Sequence, residues 1–267
     1  MSEENIAKAI RYQTKVYLEN TSQDLMLQDF APTTEEEAYS VQRNFIRQLS
    51  ETRGPVGGYK IAYTSAIMRE ARGVSAPCSG LMFANQIVNS PTELNVSDYT
   101  KLAVECEVAV RLGSDVPVEG APYTRESITP HISALLTAFE IIDIRPSEAP
   151  DDADPAISSI VANISNEGAV LGRAVENWQE IELATARGTM SINGDQVGEG
   201  LGSDVMGHPL EALVWLANSL ATRGESIFAD AIVITGSIIP PTPLNLGDSA
   251  IISIEGLGDA QIIVGGN

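Results

Sequence analysis

Hydrophobic positions change their period along the chain. In the first fifty-odd residues the spacing is helical. Ile6, Ala9 and Ile10, then Val16 and Tyr17, fall on one side, with polar Gln13 interrupting the stripe. A break follows at Asn20 to Ser22. Pro32-Thr33-Thr34-Glu35-Glu36-Glu37 then reads as a helix start, with Thr33 or Thr34 as N-cap and glutamates in the first turn. Ala38, Val41, Phe45 and Leu49 form its apolar stripe, and Arg53-Gly54-Pro55 stops it.

From Val56 onward the period shortens to that of strands. The runs Gly57–Tyr63, Met82–Val88 and Leu102–Leu112 read as strands, the first entered through glycines. A helix from about Pro130 to Ala138 is expected to run into a strand over Phe139–Ile144. Strand-like runs recur near Ser159–Ile164, Ala169–Leu171 and Gly188–Ile192, and Asn193-Gly194 is a hairpin signal. Gly198 to Ser203 reads as a flexible loop. Pro209–Thr222 is an amphipathic helix with Leu210, Leu213, Leu216 and Leu220 on its core side. Strands over Ala231–Thr235, Ser249–Ile254 and Gln261–Val264 close the chain. The expected class is α+β: a helical N-terminal portion, residues 1–55, leading into a β-rich body, residues 56–267.

Within that body one strand carries unusual chemistry. In Leu102–Leu112 one face is uniformly apolar: Leu102, Val104, Cys106, Val108, Val110 and Leu112. The other face holds Ala103, Glu105, Glu107, Ala109 and Arg111. Two glutamates side by side repel unless a cation sits between them, and burying them bare is expensive. A wet outer face of an edge strand is the alternative. A third acid, Glu140, alternates with Ile142 and Ile144, where an apolar residue is expected. Three carboxylates without histidine or thiol make a hard oxygen site, suited to Mg²⁺ or Mn²⁺. Lys60, in a glycine-entered strand, is the candidate cation beside them; an exposed strand lysine is the alternative. His131 and His208 read as cap or surface residues, and Gly198-Glu199-Gly200-Leu201-Gly202-Ser203 lacks the Lys-Ser/Thr ending of a phosphate loop.

Charge narrows the partners. Thirty-six acidic against sixteen basic side chains leave a net charge of −20, which repels nucleic acid and anionic membranes. Two cysteines, Cys78 and Cys106, make no disulfide framework. No stretch reads as a signal peptide or membrane span, so the expected location is cytoplasmic. Glu148 to Asp154, acidic and proline-bearing, reads as an exposed loop and a candidate lid.

Several stretches together resemble one family. They are Glu37-Ala38-Tyr39-Ser40-Val41-Gln42, Gly58-Tyr59-Lys60-Ile61, Glu105-Cys106-Glu107, Phe139-Glu140-Ile141-Ile142-Asp143, Ala162-Asn163-Ile164-Ser165, Val170-Leu171-Gly172 and Gly207-His208-Pro209-Leu210-Glu211-Ala212. In order and spacing the chain resembles the hydratase/decarboxylase branch of the fumarylacetoacetate hydrolase superfamily. The resemblance implies a mixed β-roll catalytic body preceded by helices. It implies a Mg²⁺ or Mn²⁺ site made by Glu105, Glu107 and Glu140, with Lys60 beside a small 2-oxo or 2-hydroxy acid that chelates the metal. Ser237, in Thr235-Gly236-Ser237, and Asn163 become substrate-binding candidates. The implied activity is hydration of a 2-hydroxy-2,4-dienoate. The alternatives are decarboxylation of a 2-oxo-3-enedioate, with Arg69, Arg72 and Arg145 as possible partners for the distal carboxylate, or an acylpyruvate-type C–C hydrolase. A non-catalytic companion subunit is the remaining reading. Homo-oligomers are expected, with possible association with a paralogous pathway enzyme.

Overall fold

The computed structural model describes residues 1–148, 150 and 153–266. The acidic stretch from Glu148 to Asp154 therefore falls partly outside the described residues, at Ala149, Asp151 and Asp152.

Two helices lead the chain. Helix α1 (Glu3–Glu19) starts at Ser2, whose hydroxyl accepts the Asn5 N–H, and ends at Asn20 in the left-handed region. Helix α2 (Glu35–Arg53) starts at Thr34, whose hydroxyl accepts the Glu37 N–H, and stops at Gly54. Their apolar stripes pack on each other: Ala9, Val16 and Tyr17 against Ala38, Val41, Phe45 and Leu49. Gln13, which interrupts the first stripe, is itself buried. The cluster extends to Cys78 and Phe83 and to Ile157 and Ile160, so the helices lie on the β-rich part of the chain.

Strand β1 (Val56–Ala62) follows, then the short helix α3 (Ala66–Arg72). Next come β2 (Cys78–Phe83), β3 (Ile87–Asn89), β4 (Thr92–Asn95) and β5 (Leu102–Leu112). A single-turn helix α4 (Arg125–Ile128) precedes β6 (Ile132–Asp143), and α5 (Pro155–Val161) precedes β7 (Asn166–Leu171). The hairpin β8 (Arg187–Ile192) and β9 (Asp195–Leu201) turns at Asn193-Gly194, both with positive φ. Helix α6 (Pro209–Ala221) and strands β10 (Ile232–Pro243), β11 (Ser249–Ile254) and β12 (Gly258–Gly265) complete the fold.

The strands form two mixed sheets. One has the order β2-β1-β10-β5-β6-β7-β3, the other β4-β12-β11-β8-β9. The main core lies on the face of β5 that carries Val104, Cys106, Val108 and Val110, where Met190, Ile252 and the helix α6 pack. The opposite face carries the glutamates. On that face Ala109, Ala138 and Ala169 pack in a second, smaller cluster with Leu136 and Ile234.

Three expectations are corrected here. The helix expected from Pro130 to Ala138 is strand from Ile132 onward, because β6 pairs with β5 along its whole length, Leu112 opposite Ile132 through Leu102 opposite Asp143. The apolar run Ile132–Ala138 is compatible with either period, and the partner strand decides. The strand expected near Ser159–Ile164 is instead the end of helix α5 followed by a 3-10 turn. Asp154 caps the helix by accepting the Ala156 and Ile157 N–H groups, and Pro155 occupies its first turn. The loop expected at Gly198 to Ser203 is mostly strand β9. A Cβ on Gly198 would meet Ile239 Cγ2 at 2.5 Å, and one on Gly200 the Ile238 carbonyl oxygen at 2.4 Å, so these glycines serve close packing on β10 rather than flexibility.

Candidate active site

Register brings the three glutamates together. Glu105 and Glu140 lie directly opposite each other on β5 and β6, and Glu107 lies opposite Ala138. One oxygen from each carboxylate falls within 4.8 Å of the others. Glu107 and Glu140 are fully buried, and Glu105 reaches the wall of a cleft of about 320 Å³. Lys60, on β1 two strands away, is 2% exposed and places its Nζ 2.8 Å from Glu140 Oε1. Sequence patterning anticipated this grouping, and the exposed-strand alternative for Lys60 and the wet-face alternative for the glutamates are both excluded by burial.

Each buried carboxylate is half satisfied. Glu140 Oε1 accepts from Lys60 and from Asn166 Nδ2, at 3.0 Å. Glu107 Oε2 accepts from the Gly236 N–H at 2.7 Å. The other oxygens, Glu107 Oε1 and Glu140 Oε2, have no hydrogen-bond partner. A buried anionic oxygen without a partner costs several kcal/mol, on the order of 1–3 or more. Two such oxygens on carboxylates clustered with Glu105 make a site that fits a cation. The all-carboxylate donor set fits Mg²⁺ or Mn²⁺.

Electrostatics agree with that reading. Burial, then the charge of Glu140, pushes the Glu105 carboxyl up to about 8. Burial, then the charges of Glu140 and Glu105, holds Glu107 well above the usual carboxylate range. For Lys60 burial opposes the charged form, but Glu140, Glu105 and Glu107 outweigh it and hold the ammonium above its ordinary value. Three acids and one base cannot all be charged here at neutral pH without a further cation.

The remaining expected site residues divide. Ser237 lines the cleft with Lys60 and Glu105, and its hydroxyl donates to the Ile239 carbonyl. Asn163 does not line the cleft. Its amide is spent on β2, accepting the Leu81 N–H and donating to the Leu81 carbonyl, both at 2.8 Å. Its neighbours Ile164 and Ser165 do line it. Of the three arginines, Arg69 donates to the Tyr63 and Thr64 carbonyls and Arg145 pairs with Glu167 at 2.6 Å. Arg72, exposed at the end of α3, lines the cleft.

Two features escaped sequence reading. Asn166 had no motif to mark it, and only its contact with Glu140 does so. His208 and Glu211 stand at a His-x-x-Glu spacing, the pattern of a water-activating pair. His208 caps α6 by accepting the Leu210 N–H, however, and Glu211 pairs with Arg125 at 2.9 Å. Neither lines the cleft, and α6 packs on the other face of the sheet.

Comparisons with known proteins point the same way. Residues 40–264 match the family described as Fumarylacetoacetate (FAA) hydrolase C-terminal. The chain is 31% identical over 232 residues to 2-hydroxyhexa-2,4-dienoate hydratase of Comamonas testosteroni, covering 86% of each protein. It is 28% identical over 233 residues to 4-oxalocrotonate decarboxylase of Pseudomonas putida, covering 87% of this chain and 86% of that protein. The solved structure of 4-oxalocrotonate decarboxylase from Pseudomonas putida G7, complexed with magnesium and adipate, superposes with a TM-score of 0.89 at 28% identity. It covers 99% of this chain and 98% of that one.

Proposed function

Because this chain belongs to the fumarylacetoacetate hydrolase family, we propose that it is a divalent-metal-dependent lyase that adds water to a 2-hydroxy-2,4-dienoate, giving a 4-hydroxy-2-oxo acid. The observation that carries the reading is the pair of orphaned oxygens, Glu107 Oε1 and Glu140 Oε2, on two carboxylates that cluster with Glu105 beside a buried lysine. Glu105, Glu107 and Glu140 are the ligands in this proposal, and Mg²⁺ or Mn²⁺ is the ion. Magnesium is present in the similar decarboxylase structure. A bound ion would supply Lewis acidity to a chelating 2-oxo acid.

The chain's own groups supply the rest. Lys60 Nζ stands on the cleft wall as a buried positive charge, able to offset negative charge on a dienolate and to carry a proton to or from it. Ser237 would offer its hydroxyl to the substrate carboxylate by turning it away from the Ile239 carbonyl, to which it donates in this structure. Ile142, Ile144, Ile164 and Met68 give the cleft an apolar wall. Among the described residues no histidine or cysteine lines the cleft, which favours addition of water to a conjugated ketone over acyl transfer.

A second reading has its own support. Arg72 on the cleft wall can receive a distal carboxylate, and the relatives include a 4-oxalocrotonate decarboxylase as well as hydratases. The same metal and lysine would then serve decarboxylation of a 2-oxo-3-enedioate. Incubating metal-loaded protein with each acid separates the two. Gain of one water by mass with loss of dienoate absorbance supports the hydratase, and release of CO₂ supports the decarboxylase. Turnover of neither acid would reject both.

Catalysis on this proposal belongs to the β-rich body, residues 56–267. Homo-oligomeric assembly is part of the proposal, as is association with a paralogous pathway enzyme; light scattering after size exclusion tests the first. Among the described residues no helix is long and apolar enough to cross a membrane.

A further inference from the structure

The pairing of β6 with β7 contains an irregularity beside the glutamates. Glu140 lies opposite Ala169 and Ile141 opposite Gly168, but Ile142 lies opposite Asn166. Glu167 is the extra residue of a β-bulge. Residues directly opposite in an antiparallel pair share a face, and so do residues two apart along a strand. Glu140, Ile142 and Asn166 therefore share the site face. Without the bulge Ile142 would face Glu167, and a fourth carboxylate would point at three that already lack sufficient positive charge.

Both sides of the bulge are held. On the far side Glu167 accepts from Arg145 at 2.6 Å, Arg53 at 3.1 Å and Gln86 at 3.1 Å. On the near side Asn166 Oδ1 accepts the Gly168 N–H at 3.0 Å while Asn166 Nδ2 donates to Glu140 Oε1. Gly168 has φ +124°, and a Cβ there would meet the Gln86 carbonyl oxygen at 2.2 Å. Asn166 is 3% exposed and its neighbour in this role, Lys60, reaches the same oxygen.

We propose that Asn166 is a positioning residue for the metal centre. With Lys60 it saturates one oxygen of Glu140, so that the other, Oε2, is presented to the ion as a single ligand atom in a fixed orientation. The bulge at Glu167 delivers this amide in place of an acid. The inference rests on Glu105, Glu107 and Glu140 holding a divalent ion.

Manganese binding to purified apo-protein, followed by calorimetry and by the Mn²⁺ electron paramagnetic resonance signal, tests it. Asn166→Ala is expected to raise the Mn²⁺ Kd about 10- to 100-fold, the usual effect of removing an outer-shell partner. Asn166→Ser keeps an oxygen that can accept the Gly168 N–H two residues on, but is too short to reach Glu140. It should lose Mn²⁺ affinity as Asn166→Ala does while melting, metal-free, close to the parent. Recovery of the parent Kd in Asn166→Ser would reduce Asn166 to a bulge stabiliser and overturn the proposal, as would an unchanged Kd in a folded Asn166→Ala. If the parent protein bound no Mn²⁺, the metal-centre reading itself would fall, a result distinct from either variant's.

Discussion

Replacing Lys60 by methionine removes a charge and keeps the stem. In the metal-free protein it leaves Glu140, fully buried, without the ammonium now 2.8 Å away. Removing one partner of a buried ion pair costs about 3–5 kcal/mol. At about 2–4 °C per kcal/mol for chains of this size, the melting temperature should fall on the order of 10 °C. The cluster has a partial escape, since it can take up a proton to replace the lost charge. Glu105 sits at about 8, above its ordinary 4.5, so the native state binds more protons than the unfolded chain between those values. Stability of the metal-free protein therefore falls as pH rises through that window, and the Lys60→Met deficit should be larger at pH 8 than near pH 5.5. A divalent ion re-pairs the same carboxylates, so saturating Mn²⁺ should reduce the deficit to less than half. Differential scanning calorimetry of both proteins, with chelator and with Mn²⁺, measures all four quantities. An identical deficit with and without metal would mean that the ion does not sit among these carboxylates. No deficit at all would mean that the ion pair is not buried as described.

Other perturbations test the site from different sides. Glu107→Gln keeps an acceptor for the Gly236 N–H but removes one of three crowded acids. Its metal-free melting temperature should match or exceed the parent's, while the gain on adding Mn²⁺, about 2.7 kcal/mol at a hundred times Kd for the parent, disappears. Gly236→Ala would set a Cβ 2.3 Å from Thr64 Oγ1 at φ +113°. It should destabilise the protein by more than about 1 kcal/mol and weaken Mn²⁺ binding, because the N–H that orients Glu107 moves; denaturant melts with calorimetry decide. Burial pushes both thiols, Cys78 and Cys106, up to about 12. At pH 8 only about one in ten thousand is thiolate, so a thiol reagent should modify neither in native protein and both in denaturant. Thr34→Ala removes the cap of α2 and should cost about 1 kcal/mol with catalysis unchanged.

Local physics made much of this protein legible in its sequence. Period-two alternation over Leu102–Leu112 put Glu105 and Glu107 on the face away from the core, and the strand has those bounds. The misplaced Glu140 among isoleucines and the glycine-entered Lys60 were visible for the same reason: a side chain's face follows from its neighbours along the strand. The stop of α1 and the starts and stops of α2 and α6 were readable because capping depends on residues within one turn.

What the tertiary structure alone decided depends on partners far along the chain. Ile132–Ala138 is strand because β5 lies beside it, and no property of that run excludes a helix. Glu105 and Glu140 meet because of one register, and a slip of one residue would turn a whole strand over. Asn163 carried the resemblance yet spends its amide on Leu81, whereas Asn166, unmarked in sequence, reaches Glu140. Which of Asn166 and Glu167 faces the carboxylates is set by one bulge, and that bulge is held by Arg53 and Arg145 from outside its own strand. Alternation along a strand is a local rule. The pairing that selects its phase is a long-range one, and the site is made where the two meet.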